Sequence, residues 1–455
     1  MKKLILLIIP ALLSSTLSLA QDKIPAILPL KERAEVIDRL FEEKIKTVLP
    51  ELMEREGIDM WVVIAREYNE DPVIRTMLPA IWHAARRRTI LVMYNPGGGK
   101  EIETLAVARY DVGTVFKKAW DKEKQPDQWA RLAEIINERN PQKIGLNYSE
   151  HYGQADGLTY SEFNAFKNSL SKKYQNRLIS AEKLAVGWLE TRTASEMAIY
   201  QQIVKIAHEI IAEGFSDKVI QPGVTTTEDV VWWYRERIKE LKLKTWFHPS
   251  VSVQRADKEQ VEHLRTFDKR PGQNVIQPGD LVHVDFGITY LRLNTDTQQH
   301  AYVLRAGEKD APDYLKKALA NGNRLQDIFT GNFAVGKTGN AILAESRATS
   351  IAEGIKPSIY THPIGYYGHA AGTTLGMWDA QEGVPYTGDY PLHANTAYSI
   401  ELNAATYIEE WGKEIRIMLE EDAFFDGEKV RYINGRQKKF LLIPRNLGTT
   451  DILDD

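Results

Sequence analysis

The sequence predicts an α/β domain followed by an α+β domain, with the boundary near residues 185–195. Three observations predict this. Helical and strand periodicities alternate through the first part, a long capped amphipathic helix opens near residue 191, and the second part mixes helices with strands whose apolar positions alternate. The chain has 455 residues, 43% hydrophobic and 26% charged, an ordinary globular composition long enough for two cores. With 58 Lys+Arg against 62 Asp+Glu its formal charge is -4, which gives no reason to expect a nucleic acid or an acidic membrane as partner. A small molecule or a peptide is the expected partner.

Residues 1–20 read as a secretory signal. Lys2 and Lys3 form a basic start, Leu4 to Leu13 an apolar run, and Ser18 and Ala20 a small-residue cleavage site before Gln21. The apolar run is shorter than the roughly 20 residues that span a bilayer, and Pro10 interrupts it. Cleavage after Ala20 and export, to the periplasm or the extracellular space, are expected, with no stable membrane anchor left behind. The chain has no cysteine, which excludes disulfides, thiolate metal sites, a cysteine nucleophile and a lipid-anchored cysteine.

The first domain is placed at 21–190. Val36, Ile37, Leu40, Phe41, Ile45, Val48 and Leu52 recur at helical spacing over 33–57, ending at Gly57. "MWVVIA" and "TILVMY" then read as strands, followed by further helix and strand patterns in "RLAEIINERN" and "KIGLNYS". NPGGGK (95–100) lacks the spacing of a phosphate loop and reads as a turn between two strands. Arg86-Arg87-Arg88 reads as a solvated helix end, with a clamp for a substrate carboxylate as the alternative.

The second domain is placed at 191–445, with a tail at 446–455. Thr193 caps its opening helix and Glu196, three residues on, completes a capping box. Helices are expected at 226–241, 312–329 and 338–353, and strands at 281–288, 294–304, 396–404 and 415–425.

The chemistry concentrates in those strands. "HVDFGITYLRLNTD" (283–296) places Asp285 and Asp296 in half-buried strand contexts, where an unpaired carboxylate costs several kcal/mol. A hairpin centred on Tyr290 and Leu291 would pair the two directly, and opposed carboxylates repel unless a cation lies between them. "YTHPIGYYGHAAG" adds His362 and His369, "AYSIELNA" puts Glu401 inside an apolar strand, and "IRIMLEEDAFF" puts Glu420, Glu421 and Asp422 inside another. Any one of these acids alone reads as a turn residue or a salt-bridge partner. Together they make a hard, oxygen-rich set with an imidazole, which suits Mn²⁺, Zn²⁺, Co²⁺ or Fe²⁺ in a two-metal site.

This arrangement resembles the pita-bread metallopeptidases: aminopeptidase P, prolidase, creatinase and methionine aminopeptidase. Asp285, Asp296, His369 in its Gly-His-x-x-Gly setting, and Glu401 match that pattern. Glu420 is taken as the fifth ligand, because strand parity puts it on the face of Arg416, with Glu421 as its rival. The resemblance covers 21–445. It implies a creatinase-like first domain, a pita-bread second domain, two divalent ions with Mn²⁺ foremost, and a homodimer. It also implies removal of an N-terminal residue from peptides, with preference for Xaa-Pro bonds. A hydroxide shared by the two ions would attack the peptide carbonyl while Glu401 shuttles the proton. A creatinase-like hydrolase of a non-peptide C–N bond and an inactive binding protein on the same fold are the alternatives.

The sequence also departs from the family pattern. Where the family's second hairpin strand reads "DITRT", this chain has Asp296-Thr297-Gln298-Gln299-His300. Seven residues after His369, where the peptidases place a second histidine, stands Gly376. Among His248, His263, His283, His300 and His362, the last is the first choice for that catalytic role, because it shares the glycine-rich segment of His369. HExxH, GxSxG and GxGxxG signatures are absent.

Overall fold

The structure, a computed structural model, describes residues 24–257 and 274–444; the signal segment, His263 and the tail at 446–455 lie outside the described residues. Strands β1 (Met60–Arg66), β2 (Arg88–Tyr94), β3 (Glu103–Ala106), β4 (Lys117–Lys118), β5 (Ile144–Leu146) and β6 (Leu178–Ser180) form a six-stranded sheet in the order β4-β3-β2-β1-β5-β6. Its central strands are apolar on both faces because both are covered. Trp61, Val63 and Leu91 pack with the helices Leu30–Thr47 and Glu182–Glu190, while Val62, Ile64 and Val92 pack with Gln128–Arg139.

Two expectations for this domain change. The single helix over 33–57 is two, Leu30–Thr47 and Leu49–Glu56, because Pro50 has no N–H with which to continue the first. The arginine run is not a helix end: Arg87 has φ 53 and leads into β2, and Arg88 forks onto Glu162 at 2.6 and 3.3 Å. Arg88 is therefore paired within its own domain. NPGGGK is the turn between the antiparallel β2 and β3, with Gly97, Gly98 and Gly99 all at positive φ.

The second sheet has nine strands: β7 (Ser250–Gln254), β8 (Leu281–Phe286), β11 (Thr297–Val303), β12 (Lys356–Ile359), β13 (His362–Pro363), β14 (Thr396–Ile408), β15 (Lys413–Phe425), β16 (Val430–Tyr432) and β17 (Leu441–Ile443). Its main path runs β12-β14-β15-β11-β8-β7. β9 (Thr289–Tyr290) and β10 (Leu293–Asn294) pair with each other at the tip of the β8–β11 hairpin.

Alternation sorts the side chains of this sheet. Val282, Val284 and Phe286 join Tyr200, Ile203 and Ala207 of the helix Ala194–Gly214, whose capping box of Thr193 and Glu196 forms. Ile417 and Leu419 meet the helix Asp313–Gly331, where a Cβ on Gly322 would lie 3.0 Å from each. The intervening residues, His283, Asp285, Gln298, His300 and Glu420, point to the opposite, inner face. Among the described residues no helix is long and apolar enough to cross a membrane.

Candidate metal centre

One register row carries most of the site. Ser250 pairs with Asp285, Asp285 with Gln298, Gln298 with Glu420, and Glu420 with Glu401, across five neighbouring strands. This corrects the expected hairpin: Asp285 opposes Gln298, not Asp296. The turn residues are Leu291 and Arg292, at φ 53 and 66, so Tyr290 opposes Leu293 and the register is shifted by two. Asp296 becomes the diagonal neighbour of Asp285 on the same face, still close enough to share a ligand.

His362 is brought to this row by β13, which pairs it with Ser399 of β14. Its Nδ1 lies 2.9 Å from the carbonyl oxygen of Pro363, and a carbonyl only accepts, so Nδ1 carries the proton. Nε2 is left with a free lone pair. It points at Asp296 Oδ2 and Glu420 Oε1, each 3.8 Å away. Thr361 fixes the neighbouring strand, its Oγ1 accepting from Glu401 N at 2.9 Å. Ser399 Oγ lies 2.6 Å from Glu420 Oε1.

Two groups of three residues emerge, sharing Glu420. Asp285, Asp296 and Glu420 offer ligand atoms within 4.8 Å of one another, and so do His362, Glu401 and Glu420. Asp296, His362 and His369 form a third such group. Asp285 Oδ1, Asp296 Oδ1 and His362 Nε2 are buried without a hydrogen-bond partner. These orphaned lone pairs, all on the same row of strands, are what a cation requires, and the donor set fits divalent metal.

The electrostatics agree with that fit. Burial pushes Asp285 up to about 7. Burial and then the charge of Asp285 push Glu420 up to about 8, against the lowering effect of Ser399 and Gln298. Asp296 and Glu401 are raised well above the carboxylate range, by burial first and by Glu420 next. Burial, followed by the neighbouring His369, lowers His362 to about 3, so its lone pair stays available. Burial and mutual repulsion therefore favour the protonated form of these acids and the neutral form of His362 when no cation is near.

His369 sits at the rim, exposed, its ring edge-on to His362 at 4.7 Å and to Trp246 at 5.1 Å. Gly368 makes room for that indole: a Cβ there would lie 2.3 Å from the Trp246 ring. The first domain holds this histidine-bearing segment in place. Gln154 donates to the His369 carbonyl at 2.8 Å and Tyr367 Oη to Pro72 O at 2.8 Å; from the opening helix of the second domain, Glu196 accepts from Tyr366 Oη at 2.6 Å.

The other candidates lie elsewhere. Glu421 faces away from the cluster and bonds His208 (2.7 Å), Gln437 N (3.0 Å) and Gln299 (3.2 Å). His248 meets Arg235 at 2.9 Å, and His300 Nε2 accepts from Met418 N at 3.0 Å. His283 bonds Gln298 at 2.9 Å. Sequence reasoning missed Gln298, Ser399 and Trp246 as parts of the site. Position parity with Asp296 and Glu401 was the available signal for the first two.

Residues 198–422 match the model of metallopeptidase family M24. No curated protein matches the chain significantly. An X-Pro aminopeptidase from Thermotoga maritima superposes with a TM-score of 0.59 at 17% identity, over 86% of this chain and 99% of that one. A putative aminopeptidase P from Bacillus anthracis gives 0.58 at 12% identity, over 87% and 94%. An Xaa-Pro dipeptidase from Bacillus anthracis gives 0.53 at 19%, over 91% and 100%. These solved structures share the fold with this chain.

Proposed function

We propose that this chain, whose residues 198–422 match the model of metallopeptidase family M24, is an exported dinuclear peptidase that removes one N-terminal residue from peptides, with preference for Xaa-Pro bonds. The observation that carries the reading is the pair of three-residue groups sharing Glu420. Asp285, Asp296 and Glu420 would hold one divalent ion; His362, Glu401 and Glu420, with Asp296 3.8 Å from His362, would hold the other. Mn²⁺ is the ion we favour. When bound, such ions supply a water of lowered pKa and polarise a peptide carbonyl.

Within this reading the two histidines exchange the roles that the motif suggested. His362, with its inward Nε2 lone pair, is the ligand. His369 then falls seven residues after the ligand, the place where the resembling peptidases put a second histidine, and its exposed ring at the rim suits contact with substrate. The apparent departure at Gly376 disappears once the count starts from His362.

Glu401 is the group that moves the proton. It is half-buried, its carboxyl is raised well above the usual range, and Gln298 holds one of its oxygens. Signal cleavage after Ala20 and association into a two-fold dimer complete the proposal.

The test is to incubate the mature chain, from Gln21, with Mn²⁺ and a library of free-amine peptides, and to follow product masses beside an Asp296→Asn control. Loss of one residue, preferentially ahead of proline and absent in the control, is expected. Cleavage indifferent to proline removes the Xaa-Pro assignment, and no product with Mn²⁺, Zn²⁺, Co²⁺ or Fe²⁺ overturns the peptidase reading.

A further inference from the structure

Gln298 stands at the middle of the carboxylate row, with its amide oxygen engaged by His283. It is 4% exposed. Its Nε2 lies 2.5 Å from Glu401 Oε1 and 2.8 Å from Glu420 Oε2, so one amide gives its two protons to two different carboxylates. Those carboxylates come from separate strands, β14 and β15, and belong to the same three-residue group as His362. On its other side, Gln298 Oε1 lies 2.9 Å from His283 Nε2. A carboxamide oxygen only accepts, so His283 donates, and the amide is locked with its NH₂ toward the glutamates.

The division of labour on Glu420 is clear. Oε2 is taken by Gln298, while Oε1 faces Ser399 at 2.6 Å and His362 Nε2 at 3.8 Å. A donor that holds one oxygen of a ligand carboxylate fixes the direction of the other, and such supporting bonds govern metal affinity. Threonine, which stands at this place in the pattern that the chain resembles, has one proton and too short a reach to bridge two carboxylates.

We propose that Gln298 is a positioning residue that clamps Glu401 and Glu420 into one preset donor pair, with His283 keeping the clamp from flipping. The inference rests on the metal-centre reading above. It adds that the centre of this chain is organised from the floor of the sheet, by an uncharged side chain, before any cation arrives.

Gln298→Met keeps length and volume but donates nothing. Titration calorimetry of the metal-free full-length mature chain with Mn²⁺ should show affinity lower by about 10- to 100-fold in this variant, with the metal-free melting temperature showing that it folds. Gln298→Thr, the second variant, should be weakened similarly. His283→Leu should weaken binding less, and should cost nothing further in the Gln298→Met background, because its effect passes through the amide. Unchanged affinity in both Gln298 variants, or an equal cost of His283→Leu in the two backgrounds, overturns the proposal. A wild-type chain that takes up no divalent ion overturns the metal centre itself, and this result is distinct from either of those.

Discussion

Glu420 and Glu421 are adjacent in the chain and both are buried, yet they lie in opposite chemical worlds. On the outer side of the sheet Glu421 meets His208 at 2.7 Å and a backbone N–H at 3.0 Å, a side chain provided with its partners. On the inner side Glu420 is crowded by Asp285, Asp296 and Glu401, whose charges push one another toward protonation. A complete buried acid is architecture. A row of four carboxylates in which Asp285 and Asp296 each keep an unpartnered oxygen is a site that awaits a cation.

The largest effect that sharpens this comparison is on metal-free stability. Glu421→Leu leaves His208 and the Gln437 N–H without their acceptor and should cost about 3–5 kcal/mol. Glu420→Gln relieves like-charge crowding and should raise metal-free stability at pH 8, by about 1 kcal/mol or more. Denaturant melts of the two variants without metal check the opposite signs; equal losses would erase the distinction between the two faces.

The histidines divide next. His362→Ala should weaken Mn²⁺ binding at least about 100-fold, whereas His369→Ala should leave Mn²⁺ affinity within about threefold and lower kcat. Calorimetry and steady-state kinetics on both variants separate the roles. A His369→Ala variant that loses the metal would restore the assignment first suggested by the Gly-His-x-x-Gly motif.

The pH dependence is smaller and has a definite sign. Asp285 and Glu420 titrate in the fold near 7 and 8, above their unfolded values, so they stabilise the metal-free protein at low pH. That contribution is lost as pH rises through those values. His362, lowered to about 3, contributes in the opposite sense, above its ordinary range near 6.5, and loses that contribution as pH falls. Between pH 6.5 and 8 the acids of the cluster are the groups that change. Metal uptake there should release protons, and Mn²⁺ affinity should tighten about 10-fold per pH unit for each proton displaced. Calorimetry in buffers of different ionisation enthalpy counts those protons, and a flat profile would show that the acids are already charged without metal.

Much of this site was legible because strands have a period of two. Apolar Val282, Val284 and Phe286 fix the outward face, so His283 and Asp285 must face inward, and the same parity groups Asp296 with Gln298 and separates Glu420 from Glu421. The hairpin register was not legible, because its turn uses Leu291 and Arg292 at positive φ, positions that Gly or Asn normally signal. Glycine neighbours single out His369 in the sequence, and its ring does lie in a group with Asp296 and His362. That His362 is also aimed at the acids depends on β13, a strand of two residues that leaves no periodic trace. Gln298 carries neither charge nor motif, and only its neighbours across the sheet reveal what it holds.

The most direct test of the central claim is to count the divalent ions bound per chain, by native mass spectrometry of the metal-free mature protein titrated with Mn²⁺, beside Asp296→Asn and Glu421→Gln. Uptake by the wild type and by Glu421→Gln, with loss in Asp296→Asn, is the predicted result. No uptake by the wild type, or full uptake by Asp296→Asn, would contradict a metal centre on the inner face of this sheet.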